Sequence, residues 1–398
     1  MSLKKIKQSL LHDIQRLKSP DGYLNAGHPR YNTLFGRDSL ISSWQMLKIE
    51  PSVARASINA LAFYQGKKID PLSEEEPGKI LHEHRKTSEE RNELPHWKFP
   101  YYGSADSTSL FIVVATEYFR LTGDKSFIVE ILENLLAAFE WMKTFGDKDE
   151  DGYIEYNRRN PQGLFHQGWK DGDVDHLKID PPVAIIEVQG YAYLAYLDIA
   201  FLAKRFMKKN ISEEALRRAQ SLKKSLNRDF WMRDEGFFAL ALDRRKEQRK
   251  AVTSNPGHLL FTGIVSEEKT KPLVSRLFQP DLWTPYGIRS HSIRETDFDP
   301  YSHHLGCIWP HDNWIIYKGL KSLGFTFHAE KIKNALFRAF FKLGKIPEFY
   351  TFVEDLVDLS DRSAKKVPSN PLQAWSSAGL LDMIWNSQHC TDRFGESQ

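Results

Sequence analysis

Cysteine is nearly absent from this sequence. Cys307 and Cys390 are the only two and lie far apart, which excludes a disulfide-stapled scaffold and favours a reducing cytosol. No secretory leader is expected at its start: Met1-Ser-Leu-Lys-Lys runs into Gln8, Ser9, His12 and Asp13, too polar for an apolar signal core. No apolar run approaches the length of a membrane span. Neither sign of charge dominates, with 55 basic against 52 acidic residues and a net charge of +3. No stripe suited to nucleic acid stands out, and Arg244, Arg245, Lys246, Arg249 and Lys250 read as solvated surface. Linkers, composition breaks and close repeats are also lacking, so one domain over residues 1–398 is expected.

Aromatic residues are plentiful instead, at 13% with ten tryptophans, enough for ring platforms in addition to a core. Apolar residues recur at helical steps in twelve segments, near 4–17, 37–47, 51–65, 105–121, 125–145, 183–206, 211–229, 255–264, 266–277, 308–323, 327–343 and 371–385. Short links alternate strictly with long ones, which run near 18–36, 66–104, 146–182, 230–254, 278–306 and 344–370. That alternation pairs the helices into six hairpins whose long loops all emerge at one end. The fold class is therefore all-α, an (α/α)6 barrel with the even-numbered helices inside and a functional rim of loops. Strands are expected only as short loop hairpins, as in Phe237–Leu242.

Polar and aromatic residues concentrate where long loops enter inner helices: Phe35–Ser39, Tyr101–Asp106, Gln167–Asp171, Ser254–His258, Ile308–Trp314 and Lys345–Glu348. Helix capping alone needs Asp or Ser, not so many Trp, His and Arg. One chemistry that suits such a rim is glycosidic bond cleavage, which needs two carboxyl groups across the bond. Asp171, Asp173 and Asp175 in Gly168-Trp-Lys-Asp-Gly-Asp-Val-Asp175 are candidates for the acid, because a neighbouring indole desolvates a carboxyl and raises its pKa. Spacing does not choose among the three. Glu348, presented rigidly after Ile346-Pro347, is the best partner.

Gly36-Arg-Asp-Ser-Leu40, Gly78-Lys-Ile-Leu-His-Glu-His-Arg85, Tyr102-Gly-Ser-Ala-Asp-Ser-Thr108, Gln167-Gly-Trp-Lys-Asp171, Glu187-Val-Gln-Gly-Tyr191, Ser254-Asn-Pro-Gly-His-Leu-Leu260, Trp309-Pro-His-Asp312, Ile346-Pro-Glu348 and Pro371-Leu-Gln-Ala-Trp375 occur in that order. Together, over about residues 31 to 385, they resemble the glycosidase domain of the amylo-α-1,6-glucosidase (glycogen-debranching) family. The resemblance implies an (α/α)6 barrel, inversion at the anomeric carbon and α-glucoside-like substrates. It makes Asp171 the general acid and Glu348 the general base, with Arg37 and Asp38 on the hydroxyls of the released sugar. Trp169, Trp309, Trp314 and Trp375 become ring platforms, and Lys170, His311 and Gln373 polar neighbours. No cofactor or metal is implied. The sequence departs from the family in starting almost at the barrel, without the β-rich domain that usually precedes it or a glucanotransferase region. That departure brings in small substrates of the trehalose or glycosylglycerate type as the alternative to α-1,6-linked glucans.

Two readings from other classes compete. A sugar isomerase or epimerase would rely on paired histidines such as His258, His303 and His311. A non-catalytic sugar-binding protein would keep the aromatic rim but replace the carboxylates. Asp147-Lys-Asp-Glu-Asp-Gly152 resembles the start of a calcium loop, but Arg158 stands where the closing glutamate belongs, so a tight acidic turn is expected. Cys307 reads as a packed thiol.

Overall fold

The computed structural model describes residues 3–207, 209–360 and 367–388; Cys390 lies outside them. Two kinds of helix follow from two kinds of pattern. Outer helices bury a single stripe: α1 (Leu3–Leu17) buries Ile6, Leu10, Ile14 and Leu17, the three- and four-residue steps of one face. Inner helices are covered all round, and α2 (Gly36–Met46) is buried at every position. Small hydroxyl residues help make this possible by finding partners within and between helices. Ser42 Oγ donates to its own helix at Asp38 O (2.6 Å), and the Ser43 and Ser57 hydroxyls pair at 2.7 Å, joining α2 to α3 (Pro51–Phe63).

The remaining helices are α4 (Ser88–Asn92), α5 (Ser107–Thr122), α6 (Lys125–Glu130), α7 (Leu132–Thr144), α8 (Ile186–Phe206), α9 (Lys209–Asp229), a 3-10 helix (Asn255–Phe261), α10 (Glu267–Leu277), α11 (Pro310–Ser322), α12 (Thr326–Leu343) and α13 (Ala374–Gln388). Packing closes a ring. α2 lies against α5, α5 against α8, α8 against the 3-10 helix, that helix against α11, α11 against α13, and α13 against α2. Around them stand α1, α3, α7, α9, α10 and α12, each packed on an inner helix. This is the expected (α/α)6 barrel, and each inner helix begins at the end of a long loop, so their N-termini share one mouth.

Short strands in those loops trim the helix starts that periodicity suggests. Ala184–Ile185 pairs with Ala241–Leu242, so α8 begins at Ile186 rather than 183. Leu372–Gln373 pairs with Gly27–His28, which delays α13 to Ala374 and ties the last hairpin to the first. Gly27 is required there, because a Cβ would lie 2.0 Å from Gln373 Oε1. The expected 125–145 helix is interrupted at Ile131, and the segment near 255–264 is a 3-10 turn opened by Asn255-Pro256-Gly257. The expected Phe237–Leu242 strand is two, Phe237–Phe238 on Trp231–Met232 and Ala241–Leu242 on Gln248–Arg249. Among the described residues no helix is long and apolar enough to cross a membrane.

Candidate active site

At the loop mouth, the first turn of α2 presents Arg37 and Asp38. Gly36 lets that turn dock, since a Cβ would lie 2.1 Å from the Leu81 carbonyl oxygen. Arg37 is buried and makes three hydrogen bonds. Its Nε donates to Asp106 Oδ2 (2.6 Å), its Nη1 to Asp171 Oδ2 (2.9 Å) and its Nη2 to the Gly168 carbonyl (2.7 Å). One guanidinium thus joins the starts of α2 and α5 to the loop carrying Gln167–Asp171, using its planar fork.

This geometry separates the three aspartates that spacing could not. Asp171 faces Arg37, with its side chain 29% exposed. Asp173 is exposed to solvent. Asp175 is occupied by His166 Nε2 (2.8 Å) and the Ile179 amide (3.1 Å). Burial raises the Asp171 pKa above the usual carboxylate range, and Arg37 opposes that shift.

Glu348 enters from the loop after α12 and is 7% exposed. The Asn370 amide donates to its Oε2 at 3.0 Å. Burial pushes its pKa up to about 7, against that bond and the nearby Arg30, while the charge of Asp171 adds to the rise. Asp38 is shifted well upward by burial, opposed by Arg37 and reinforced by Glu348 and Asp171, and its Oδ1 accepts from Gln373 Nε2 at 3.0 Å. The charges of Asp38, Asp171 and Glu348 thus act on one another.

The floor is aromatic. Trp169 meets Trp309 edge to face at 5.7 Å and His311 at 5.2 Å, and His311 stacks on Trp375 at 3.8 Å. Trp309 Nε1 donates to the His303 carbonyl at 2.5 Å. The indole nitrogens of Trp169 and Trp375 and both His311 nitrogens are buried without a protein partner. Buried polar atoms of this kind are costly unless something satisfies them, so the floor is suited to a hydroxyl-rich ligand. Burial, together with His258 and Arg37, holds His311 well below the usual histidine range, leaving it a neutral hydrogen-bonding group.

Two expected site residues lie elsewhere. Trp314 sits deeper on α11, beyond the first turn, where its Nε1 donates to Asp382 Oδ2 (2.9 Å). It borders a separate cavity with Trp44 and Lys318 at the far ends of the inner helices. It cannot be a platform beside the carboxylates. Lys170 is fully buried with its ammonium on the Ser290 carbonyl (2.6 Å), and burial lowers its pKa to about 8. It braces the loop from behind instead of meeting a ligand. Conversely, sequence reasoning passed over Asp106 and Tyr31. Asp106 was legible as an acid at the start of the inner helix next to α2. Tyr31 was not: its φ of 65° turns it toward the site, where Glu348, Asp171 and Glu83 all add to the effect of burial in raising its phenol pKa.

The discounted motifs resolve by simple chemistry. The acidic turn after α7 is held by its own backbone, the Gly152 amide donating to Asp147 Oδ2 at 3.1 Å. The Lys246 ammonium reaches Asp149 (2.9 Å), Asp151 (2.8 Å) and Glu155, so this lysine is not simply solvated surface. Cys307 is packed, its thiol 3.6 Å from the Pro300 carbonyl and raised in pKa by burial.

A ring of helix hairpins with acidic side chains over an aromatic floor is an arrangement suited to an (α/α)6 glycosidase. The chain matches the "Mannosylglycerate hydrolase MGH1-like glycoside hydrolase domain" over residues 31–356 and belongs to that family. Among solved structures it is similar to the GH63 mannosylglycerate hydrolase of Thermus thermophilus in complex with Tris, with 14% identity, 96% of this chain and 100% of that one covered, and a TM-score of 0.70. The same enzyme in complex with Tris and D-glycerate matches at 15% identity, the same coverage and a TM-score of 0.70. A wild-type glycosidase matches at 13% identity, 97% and 96% coverage and a TM-score of 0.67. No individual curated protein matches the chain significantly. Identities this low speak for the fold, while the family match carries the glycoside hydrolase assignment.

Proposed function

We propose that this protein hydrolyses small α-glycosides of the mannosylglycerate or glucosylglycerate type with inversion, Asp171 acting as general acid and Glu348 as general base. The observations that support the reading are the Arg37–Asp171 bond, the Gln373–Asp38 bond, the effect of the Asp171 charge on the buried Glu348, and the Trp169–His311–Trp375 aromatic contacts. Inversion needs carboxyls roughly 6.5–9.5 Å apart, with a water between one of them and the anomeric carbon. Glu348 takes the proton of that water while Asp171 protonates the departing oxygen. Arg37 and Asp38 hold sugar hydroxyls, Gln373 orients Asp38, and Trp169, Trp309, Trp375 and His311 line the ring. The family match favours a small glycoside over the α-1,6 branch of a glucan. An isomerase is disfavoured, because the family match over residues 31–356 is to a glycoside hydrolase domain.

The test is a proton NMR time course on mannosylglycerate, glucosylglycerate, trehalose, isomaltose and a branched dextrin. Early release of the β-sugar from a glycerate glycoside, lost in Asp171→Asn and Glu348→Gln, is expected. Early α-sugar would mean retention and would overturn the role of Glu348, and preferential cleavage of isomaltose or dextrin would restore the glucan reading.

Glu348 also makes a stability prediction. Its folded pKa of about 7 lies above its ordinary value of 4.5, so the folded state binds the extra proton between those values. Its contribution to stability is lost as pH rises through that window. Glu348→Gln, which removes the buried charge, is expected to raise the melting temperature by a few degrees at pH 8 and hardly at all at pH 4. Calorimetry at the two pH values checks it, and an equal change at both would contradict the assignment.

A further inference from the structure

The loop that carries Asp171 is pinched at its base. The His166 amide donates to the Gly172 carbonyl (3.1 Å), the Gly172 amide returns to the His166 carbonyl (3.3 Å), and the Phe165 amide also reaches Gly172 O (2.7 Å). Asp171 is the last residue inside the pinch. Outside it the chain folds back so that Asp175 Oδ1 accepts from His166 Nε2 at 2.8 Å and from the Ile179 amide at 3.1 Å. On the other ring nitrogen, His166 Nδ1 lies 2.8 Å from the Tyr156 hydroxyl. Burial keeps that phenol protonated, so Tyr156 donates to Nδ1 and Nε2–H donates to Asp175. His166 is fully buried, and its imidazole therefore joins three points, Tyr156, the entry to the pinch and its exit. Next to it His176 Nε2 lies 3.2 Å from His304 Nδ1, and the two rings stack at 5.1 Å, linking this loop to the one that precedes Trp309.

We propose that His166 and Asp175 form a positioning pair that sets the carboxyl of Asp171 for proton donation. Neither residue faces Arg37 or the aromatic floor, so the pair acts through the loop and does not touch substrate. The inference rests on the reading of Asp171 as general acid. Proton donation to a glycosidic oxygen depends steeply on geometry, and misplacement by about 1 Å costs on the order of 100-fold. A glycosyl fluoride removes that dependence, because fluoride departs with little help from an acid.

Asp175→Ala and His166→Phe are compared with wild type on a glycosylglycerate and on the α-fluoride of the same sugar. The expected result is a kcat lower by roughly 10–100-fold on the glycerate glycoside, with KM within about threefold and fluoride hydrolysis within about threefold. Asp175→Asn is expected to recover most of the loss, since its amide oxygen accepts from both His166 and Ile179. Parallel losses on the two substrates in folded variants would reduce the pair to a purely structural role, and unchanged rates on both would show that it positions nothing. Asp171→Asn is the separate control. If that variant loses fluoride hydrolysis as fully as the glycerate glycoside, the acid assignment fails, independently of how the two clasp variants behave.

Discussion

Asp171→Asn is expected to lower kcat on a glycerate glycoside by roughly 10²–10⁴-fold while retaining most activity on the corresponding α-glycosyl fluoride. The amide keeps the shape of the side chain and can still accept from Arg37 Nη1, so the bonds of that guanidinium to Asp106 and Gly168 survive. Only the proton is lost, and fluoride does not need it. Glu348→Gln is expected to abolish both activities, because every substrate requires the attacking water to lose a proton. Steady-state kinetics on the two substrates separates the roles. Rescue by fluoride in Glu348→Gln but not in Asp171→Asn would exchange the assignments. Burial favours protonation of both carboxyls, and Arg37 opposes it on Asp171. The proposed acid role requires the proton on Asp171, and a bound sugar that draws Arg37 away from it would favour that state.

Arg37→Met should produce the largest loss of stability. Arg37 and Asp106 form an ion pair with side chains 3% and 0% exposed. Truncating one partner of such a pair leaves the other charge buried and typically costs about 3–5 kcal/mol. Asp106 would keep only the Ser104 hydroxyl, 2.7 Å away. Adding Asp106→Asn is expected to restore a large part of the stability without restoring activity, since Asp171 and Gly168 also lose their donor. Urea unfolding of the two single variants and the double variant measures the coupling. A single variant as stable as wild type would show that the guanidinium does not hold the starts of α2 and α5 together.

Several residues show where local reasoning stopped. Trp314 and Trp309 look equivalent in Trp309-Pro-His-Asp-Asn-Trp314, yet a helix rises about 1.5 Å per residue, which carries Trp314 past the first turn to Asp382 at the far end. Lys170 neighbours Asp171 in sequence, but the bend over Gly168–Lys170 sends its ammonium to the Ser290 carbonyl. The starts of α8 and α13 fall later than periodicity suggests because each follows a strand whose partner lies far away in sequence, as Gly27–His28 does for Leu372–Gln373.

Periodicity and loop length by themselves determined the barrel, the inner and outer helices and the end at which the site lies. These properties repeat along the chain and depend on burying an apolar stripe or an entire helix. The carboxylates, arginine and indoles at the loop-to-helix junctions pointed toward glycoside chemistry, and the motifs they form carried the resemblance to a glycosidase family. The resemblance singled out Asp171 from Asp173 and Asp175, but only tertiary structure set it against Arg37, turned Tyr31 inward and paired Asp106 with Arg37. Each of those outcomes depends on which distant group supplies a hydrogen bond or a charge, and a partner about 70 or 130 positions away leaves no local pattern to read.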